Sequence, residues 1–306
     1  MVVAVGRTAS PPDLHIPRPL GYNSLSHSDR RHIMPELPEI AVLARDMQSE
    51  LIGRTTSSVE LLQPKCLNLP VGEFREAVLG TQIREVTAHG KWLKIELTSG
   101  WLLLNLGMGG EVLLTDRQHL PEKYRLVFDL DDGAALAVNF WWFGHVHYVD
   151  DLAEHAMTAK LGPDFMSLTL DGFRQLLRGR RSGIKAFLLN QKRVAGIGNV
   201  YVQDPLFKAG LHPLRAINSL SDGEIAALWS ALRQTLQGSI DHGGSHWEQD
   251  LYGDPGAWDR SFFLVAYREG EPCPICGTTI EKIKTGSTNS HICPVCQPRE
   301  VSRVSE

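Results

Sequence analysis

Four of the five cysteines fall into two pairs, Cys273-x2-Cys276 and Cys293-x2-Cys296, with 16 residues between the pairs. Tetrahedral zinc takes four soft thiolates, and a two-residue gap lets a tight turn aim both sulfurs of a pair at one ion. Four protein ligands leave no open coordination position, so one structural Zn2+ holding a β-hairpin together is expected, not one that activates water. Cys66 is left over and is expected to pack in a core. His242-x3-His246 lies beside Gly243 and Gly244 with no helix to align the rings, so no metal is assigned there, and His291 inside the cysteine module is not counted as a ligand. A second signal is charge. Residues 174–193 contain Arg174, Arg178, Arg180, Arg181, Lys185, Lys192 and Arg193 and no acid, +7 in 20 residues. Gly196-Ile197-Gly198-Asn199 follows at once, a glycine turn and helix start whose backbone amides can meet a phosphate. The competing reading is a solvated helical face. The turn is not the dinucleotide fingerprint, because Tyr201 occupies the position of its last glycine. A third signal is Met34-Pro35-Glu36-Leu37-Pro38-Glu39, which sets a proline and two carboxylates three residues apart at a helix start; taken alone this is ordinary first-turn chemistry.

These groups sit in a chain of 306 residues, long enough for two or three domains. Its 42% hydrophobic and 22% charged residues exclude wholesale disorder and collagen-like repeats, and no apolar run approaches the roughly 18 residues of a membrane span. The formal charge of −4 makes no global case for nucleic acid, so the basic stretch matters as a local feature. Residues 1–33, with four prolines and no apolar period, are assigned no fold, and their apolar start is too short for a secretory signal. Ile40, Leu43, Met47 and Leu51 then predict a helix over about 36–52 with Gly53 at its end. Short strands follow at Val59–Leu61, Gln82–Ala88, Lys91–Leu97, Trp101–Leu106, Glu111–Leu114, Arg125–Leu130 and Ala134–Asn139, the pattern of a β-sandwich or barrel. After about residue 150 the pattern turns helical: Leu170–Leu177, Gly183–Asn190, Val200–Ala209 and Ser221–Ser239, the last capped by Ser221 with Glu224 three later. The domains expected are an unstructured extension or misplaced start over 1–33, a β-sandwich over 34–150, a helical domain over 151–257, and a zinc finger with a short tail over 258–306.

Taken together, the motifs resemble the formamidopyrimidine-DNA glycosylase and endonuclease VIII family. They are Met-Pro-Glu-Leu-Pro-Glu-Ile at 34–40, His89-Gly90-Lys91-Trp92-Leu93, Leu106-Gly107-Met108, Gly196 to Tyr201, Gly243-Gly244-Ser245, and the finger ending in Cys296-Gln297. Leu37, where endonuclease VIII types usually show glycine, points to the formamidopyrimidine branch. The resemblance implies an α+β multidomain fold: an N-terminal β-sandwich with a leading helix, a helix–two-turn–helix domain, and a four-cysteine zinc β-hairpin. It implies base-excision repair of damaged double-stranded DNA, with excision of oxidised bases of the 8-oxoguanine and formamidopyrimidine type and cleavage at abasic sites. The implied species is a cytoplasmic, nucleoid-associated monomer, without membrane attachment or organic cofactor.

In that family the N-terminal proline nitrogen attacks C1′ of a flipped nucleoside, expels the base and forms an imine before elimination nicks the strand. By resemblance Pro35 is the nucleophile, Glu36 the acid/base, Lys91 an aid to proton transfer and Glu39 a positioning carboxylate. Asn199, Lys185 and Arg180 would grip phosphates, while Met108 and Phe143 would fill the vacated stack. The choice of a terminal amine has a physical reason: an α-amino group of pKa about 7.7–8.0 is roughly 9–17% neutral at pH 7, against about 0.04% for lysine. Pro35 within the 306-residue chain is an amide, so translation from Met34, or loss of residues 1–34, is expected. Two departures stand out. The family's Asp-Pro-Arg-Arg-Phe-Gly is here Asn139-Phe140-Trp141-Trp142-Phe143-Gly144, which puts opposite-base preference in question. Thr288 stands where the family has a phosphate-holding arginine, so the second elimination is expected to weaken. The loop around Trp247–Trp258 is expected to contact the base. A catalytically impaired relative that binds damaged DNA is the alternative.

Overall fold

A computed structural model describes residues 33–299; the extension at 1–32 and the last residues, 300–306, lie outside the described residues, and with them the expectation for the N-terminal segment. Helix α1 (Leu37–Leu51) opens the described chain and buries Ile40, Leu43, Met47 and Leu51, the stripe its spacing predicts. It is followed by β1 (Thr56–Leu61), helix α2 (Val71–Val78), β2 (Ile83–His89), β3 (Trp92–Leu97), β4 (Trp101–Asn105), β5 (Glu111–Asp116), β6 (Leu126–Leu130), β7 (Ala134–Asn139) and β8 (His145–Val149). These strands form two antiparallel four-stranded sheets, ordered β1-β6-β7-β5 and β2-β3-β4-β8. Their inner faces share one core with α1, including Phe74, Leu93, Leu104, Val112, Leu136 and Val146. This is the expected sandwich.

Helix α2 and strand β8 were not read from the sequence. The first is one short amphipathic turn pair, anchored by Phe74 and Val78 four residues apart and weakened by Gly72. The second alternates Val146 and Tyr148 inward with His145 and His147 outward, and imidazoles blur a hydrophobic period.

The helical part contains α3 (Leu170–Leu177), α4 (Ile184–Leu188), α5 (Gln203–Lys208) and α6 (Asp222–Asp241) around a second core. The capping box at α6 is formed: Glu224 N–H donates to Ser221 Oγ at 3.2 Å and Ser221 N–H donates back to Glu224 Oε2 at 2.7 Å. Leu37, from the start of α1, inserts into this second core, so the first residues of the helix lie where sandwich and helices meet. Strands β9 (Glu281–Thr285) and β10 (Thr288–Ile292) make the C-terminal hairpin. Among the described residues no helix is long and apolar enough to cross a membrane.

Candidate functional site

Glu36 precedes the first turn of α1 and is 3% exposed. The neighbouring Leu37 N–H donates to Gly196 O at 3.1 Å, which pins the helix start against the glycine turn. The Glu36 carboxylate accepts from the backbone N–H of Val200 at 3.1 Å and of Tyr201 at 3.4 Å, and Lys91 Nζ lies 3.9 Å from its Oε1. Burial pushes this carboxyl above the usual glutamate range, opposed by the Lys91 charge and by the amides around it. A buried acid that keeps its proton to higher pH, beside a cation, is equipped for proton transfer. Pro35, also buried, is the adjoining residue.

Lys91 is carried by the turn between β2 and β3, one residue before the strand to which its sequence pattern assigned it. That turn is docked on the helical side: Gly90 N–H donates to Asp164 Oδ2 at 2.9 Å, and His89 Nε2 is 2.9 Å from Gly162 O. From the other side the Gly196–Asn199 turn closes over the pair. A methyl group on Gly198 would lie 2.0 Å from Glu36 Oε1 and 2.4 Å from Lys91 Nζ, so any side chain here would displace the pair. Just beyond the Gly196–Asn199 turn, whose amides were expected to meet a phosphate, the N–H groups of Val200 and Tyr201 are aimed at an internal carboxylate. A helix start thus receives an anion from within the chain.

Glu39, one turn along α1, is 4% exposed and faces inward. It accepts the Glu36 N–H at 2.9 Å, the Ser245 N–H at 2.9 Å and the Tyr201 hydroxyl; that hydroxyl also lies 2.6 Å from Ser239 Oγ. Burial raises this carboxyl as well. Glu39 therefore holds the backbone of Glu36 and joins α1, α6 and the Gly243–Ser245 loop. Tyr201, Ser239, Ser245 and Gly198 had no role assigned from sequence, although three of them lie inside motifs that were noticed.

The remaining expected residues divide among three places. Met108 and the Trp141–Phe143 segment face each other: Met108 N–H donates to Trp142 O and Trp141 N–H to Met108 O, both at 2.9 Å. Phe143 is 73% exposed. Arg180 lines a cleft of about 590 Å³ with Arg181, Arg193, Phe187 and Asn190, and none of the three arginines has an acidic partner among the described residues. Asn199 is half-buried in the glycine turn, where its carbonyl accepts from Gln203 Nε2 at 2.9 Å. Lys185, grouped with the exposed charges by sequence, is only 2% exposed and points into the hairpin. Its Nζ donates to Asn289 O and Ser290 Oγ at 2.7 Å and to Thr285 and Thr288 Oγ1 at 3.1 Å. Burial pulls its pKa down to about 8. Helix α4 is too short to show the inward face that Lys185 shares with Ile184 and Leu188.

Trp258, at the end of the loop expected to contact the base, is 8% exposed and stacks on Phe262 with ring centres 4.3 Å apart. Cys66 is buried as expected. The other four sulfurs converge, with Cys273–Cys296, Cys276–Cys293 and Cys276–Cys296 separations of 3.8, 3.4 and 3.5 Å and all four within 4.8 Å of one another. Zinc–sulfur bonds of about 2.3 Å in a tetrahedron require sulfurs about 3.8 Å apart, so the set fits one zinc. His291 is outside it, its Nδ1 accepting from Tyr267 N–H at 3.1 Å.

Comparison with known proteins agrees along the chain. Residues 34–140 match the formamidopyrimidine-DNA glycosylase N-terminal domain, 161–250 the formamidopyrimidine-DNA glycosylase H2TH domain, and 270–299 the zinc finger found in FPG and IleRS. The formamidopyrimidine-DNA glycosylase of Herpetosiphon aurantiacus is 38% identical over 274 residues, spanning 86% of this chain and all of the relative. That of Chloroflexus aggregans is 37% identical over 272 residues, spanning 86% and 98%. Among solved structures, wild-type Lactococcus lactis Fpg (MutM) in complex with N7-benzyl-Fapy-dG containing DNA superposes with a TM-score of 0.79 at 29% identity, covering 86% of this chain and 100% of that one.

Proposed function

This chain belongs to the formamidopyrimidine-DNA glycosylase family, and from that premise we propose which of its residues carry the reaction. The protein is a base-excision repair DNA glycosylase with abasic-site lyase activity, it acts on damaged double-stranded DNA, and it holds one structural zinc. We assign the nucleophile to the Pro35 nitrogen. It bonds to C1′ of the extruded nucleoside as the glycosidic bond breaks; that electron pair leaves with the base, which takes up a proton. Glu36 supplies and recovers protons in base loss and sugar-ring opening. Lys91, at 3.9 Å, keeps the ionised form of that carboxyl accessible. Loss of a proton from the resulting imine then breaks the 3′ C–O bond and nicks the strand. Glu39 positions Glu36, Met108 and Phe143 fill the vacated stack, and Arg180, Lys185 and Asn199 serve the phosphates. For Lys185 this requires phosphate oxygens to replace hairpin hydroxyls. The division into a sandwich over 34–150, a helical domain over 151–257 and a zinc module beyond, and cytoplasmic action on the nucleoid, belong to the same proposal.

The observation that carries the assignment is the buried Glu36–Lys91 pair enclosed by the Gly198 turn beside Pro35. Trp141, Trp142 and Thr288, in place of arginines, favour a second reading: a relative that binds damaged DNA without turnover. Borohydride reduction on an abasic-site oligonucleotide, with protein beginning at Pro35, separates the two. A covalent adduct, lost when the Pro35 amine is acetylated, is expected; its absence from the unmodified protein supports the binding-only relative.

A further inference from the structure

Trp141, Trp142 and Phe143 are consecutive and 39%, 64% and 73% exposed, a density of bare aromatic surface matched nowhere else among the described residues. Phe143 has φ +59, a conformation that a bulky side chain rarely adopts and that concentrates at functional sites. The tip is nonetheless rigidly mounted. At its root Phe140 is 5% exposed, with its ring against Gly144, and its carbonyl accepts from Arg125 Nε at 3.1 Å. Its flank is paired to Met108 as described above. The Met108 loop is in turn tied to both sides of the reacting centre: Gly109 N–H donates to Ile33 O at 2.7 Å, and Asn105 Nδ2 donates to the Lys91 carbonyl at 2.9 Å. A flat apolar surface is thus held in register with Pro35, Glu36 and Lys91.

We propose, resting on the glycosylase reading, that Trp142 and Phe143, flanked by Trp141, form a stacking wedge that engages the base opposite the lesion through its π face, making excision indifferent to the identity of that base. Every base has a π face, so stacking on an aromatic side chain contributes about 1–3 kcal/mol without selecting sequence. Selection needs paired donors and acceptors on a base edge, where a bidentate contact discriminates by about 1–3 kcal/mol. An indole has a single N–H donor and phenylalanine has none. The tip can therefore hold a base in place and cannot read it.

The test uses zinc-loaded protein beginning at Pro35 and duplexes carrying one formamidopyrimidine lesion opposite C, A, G or T. Single-turnover excision rates within fivefold of one another across the four partners are expected, because a bidentate reader gives roughly 5- to 150-fold. A spread of fivefold or more overturns the wedge. Trp142→Ala should lower the rate about equally on all four duplexes, by roughly 5- to 150-fold for one lost stack, and Trp142→Phe should restore most of it. Zinc content and melting temperature verify that both variants are folded. An unchanged rate in W142A, or no rescue by W142F, overturns the proposal and leaves the exposed aromatics to another partner such as a protein. Failure of the parent protein to form a borohydride-trapped adduct with any abasic duplex defeats the glycosylase reading itself and the wedge with it; normal trapping with partner-dependent excision defeats the wedge alone.

Discussion

Replacing Gly198 by alanine perturbs the centre with one methyl group. Built on the present backbone, that Cβ lies 2.0 Å from Glu36 Oε1, 2.1 Å from Glu36 Cδ and 2.4 Å from Lys91 Nζ, whereas ordinary contact begins near 3.4 Å. The carboxylate must therefore withdraw by about 1.4 Å, since it is the end of a flexible side chain and the turn's backbone is not. Withdrawal lengthens its bonds from Val200 and Tyr201, each of the charge-assisted kind that contributes about 1.5–3 kcal/mol, part of which new partners recover. A stability loss of about 1–3 kcal/mol follows. A displacement of about 1 Å costs on the order of 10²-fold in rate, so kcat for base excision should fall about a hundredfold while KM for lesion DNA moves little. Gly223→Ala is the matched control: its Cβ meets nothing nearer than Ser221 Oγ at 4.0 Å, so it should leave activity unchanged and stabilise helix α6 by about 0.5–1 kcal/mol. Single-turnover excision, with melting curves for both variants, decides the matter. Folded G198A protein excising within threefold of the parent would refute the claim that the glycine turn sets the position of Glu36.

Glu36→Gln should reduce excision by about 10²–10⁴-fold and abolish the fall in rate that the parent shows as pH rises through the raised Glu36 value; a limb that persists in E36Q belongs to another group. The same shift has a stability consequence. The folded pKa lies above the unfolded value of 4.5, so the contribution of this carboxyl is whole below about pH 4.5 and is lost as pH rises through the folded value. Urea midpoints from about pH 4 to 8 should accordingly move in favour of E36Q with rising pH, and a constant gap would contradict the burial argument. Chelation of the zinc releases the hairpin that solvates Lys185, so DNA binding and the C-terminal melting transition should be lost together, and zinc with reductant should restore both. On abasic DNA the product of the first elimination should exceed that of the second, because Thr288 carries no charge and is engaged by Lys185; equal yields on gel electrophoresis would remove that role from position 288.

How much could be read without coordinates depended on the range of the interaction. The zinc site was legible because each ligand pair closes over two residues, and the α6 cap because Ser221 and Glu224 are three apart. The sandwich was legible from short apolar strands punctuated by glycine and serine turns, except at β8, where histidines take the outward positions. The carboxylate centre was of another kind. Its decisive contacts join residues 162 to 206 apart: Glu39 with Tyr201, Glu36 with Val200, and Glu39 with Ser245. No local pattern encodes these, and only resemblance pointed to Glu36 and Lys91. The two internal partners that the sequence left unread share one cause. A glycine turn at a helix start announces that its amides will take an anion, and a lysine in a basic run announces a cation seeking oxygen, yet neither states which partner arrives. In this fold α1 delivers Glu36 to the amides and the zinc hairpin delivers four oxygens to Lys185. Both groups are thereby satisfied internally, and a phosphate approaching either must compete with a ligand already in place. That competition should tie closure on DNA to rearrangement of the hairpin hydroxyls, while the Glu36 carboxylate, enclosed by Gly198, stays where it is.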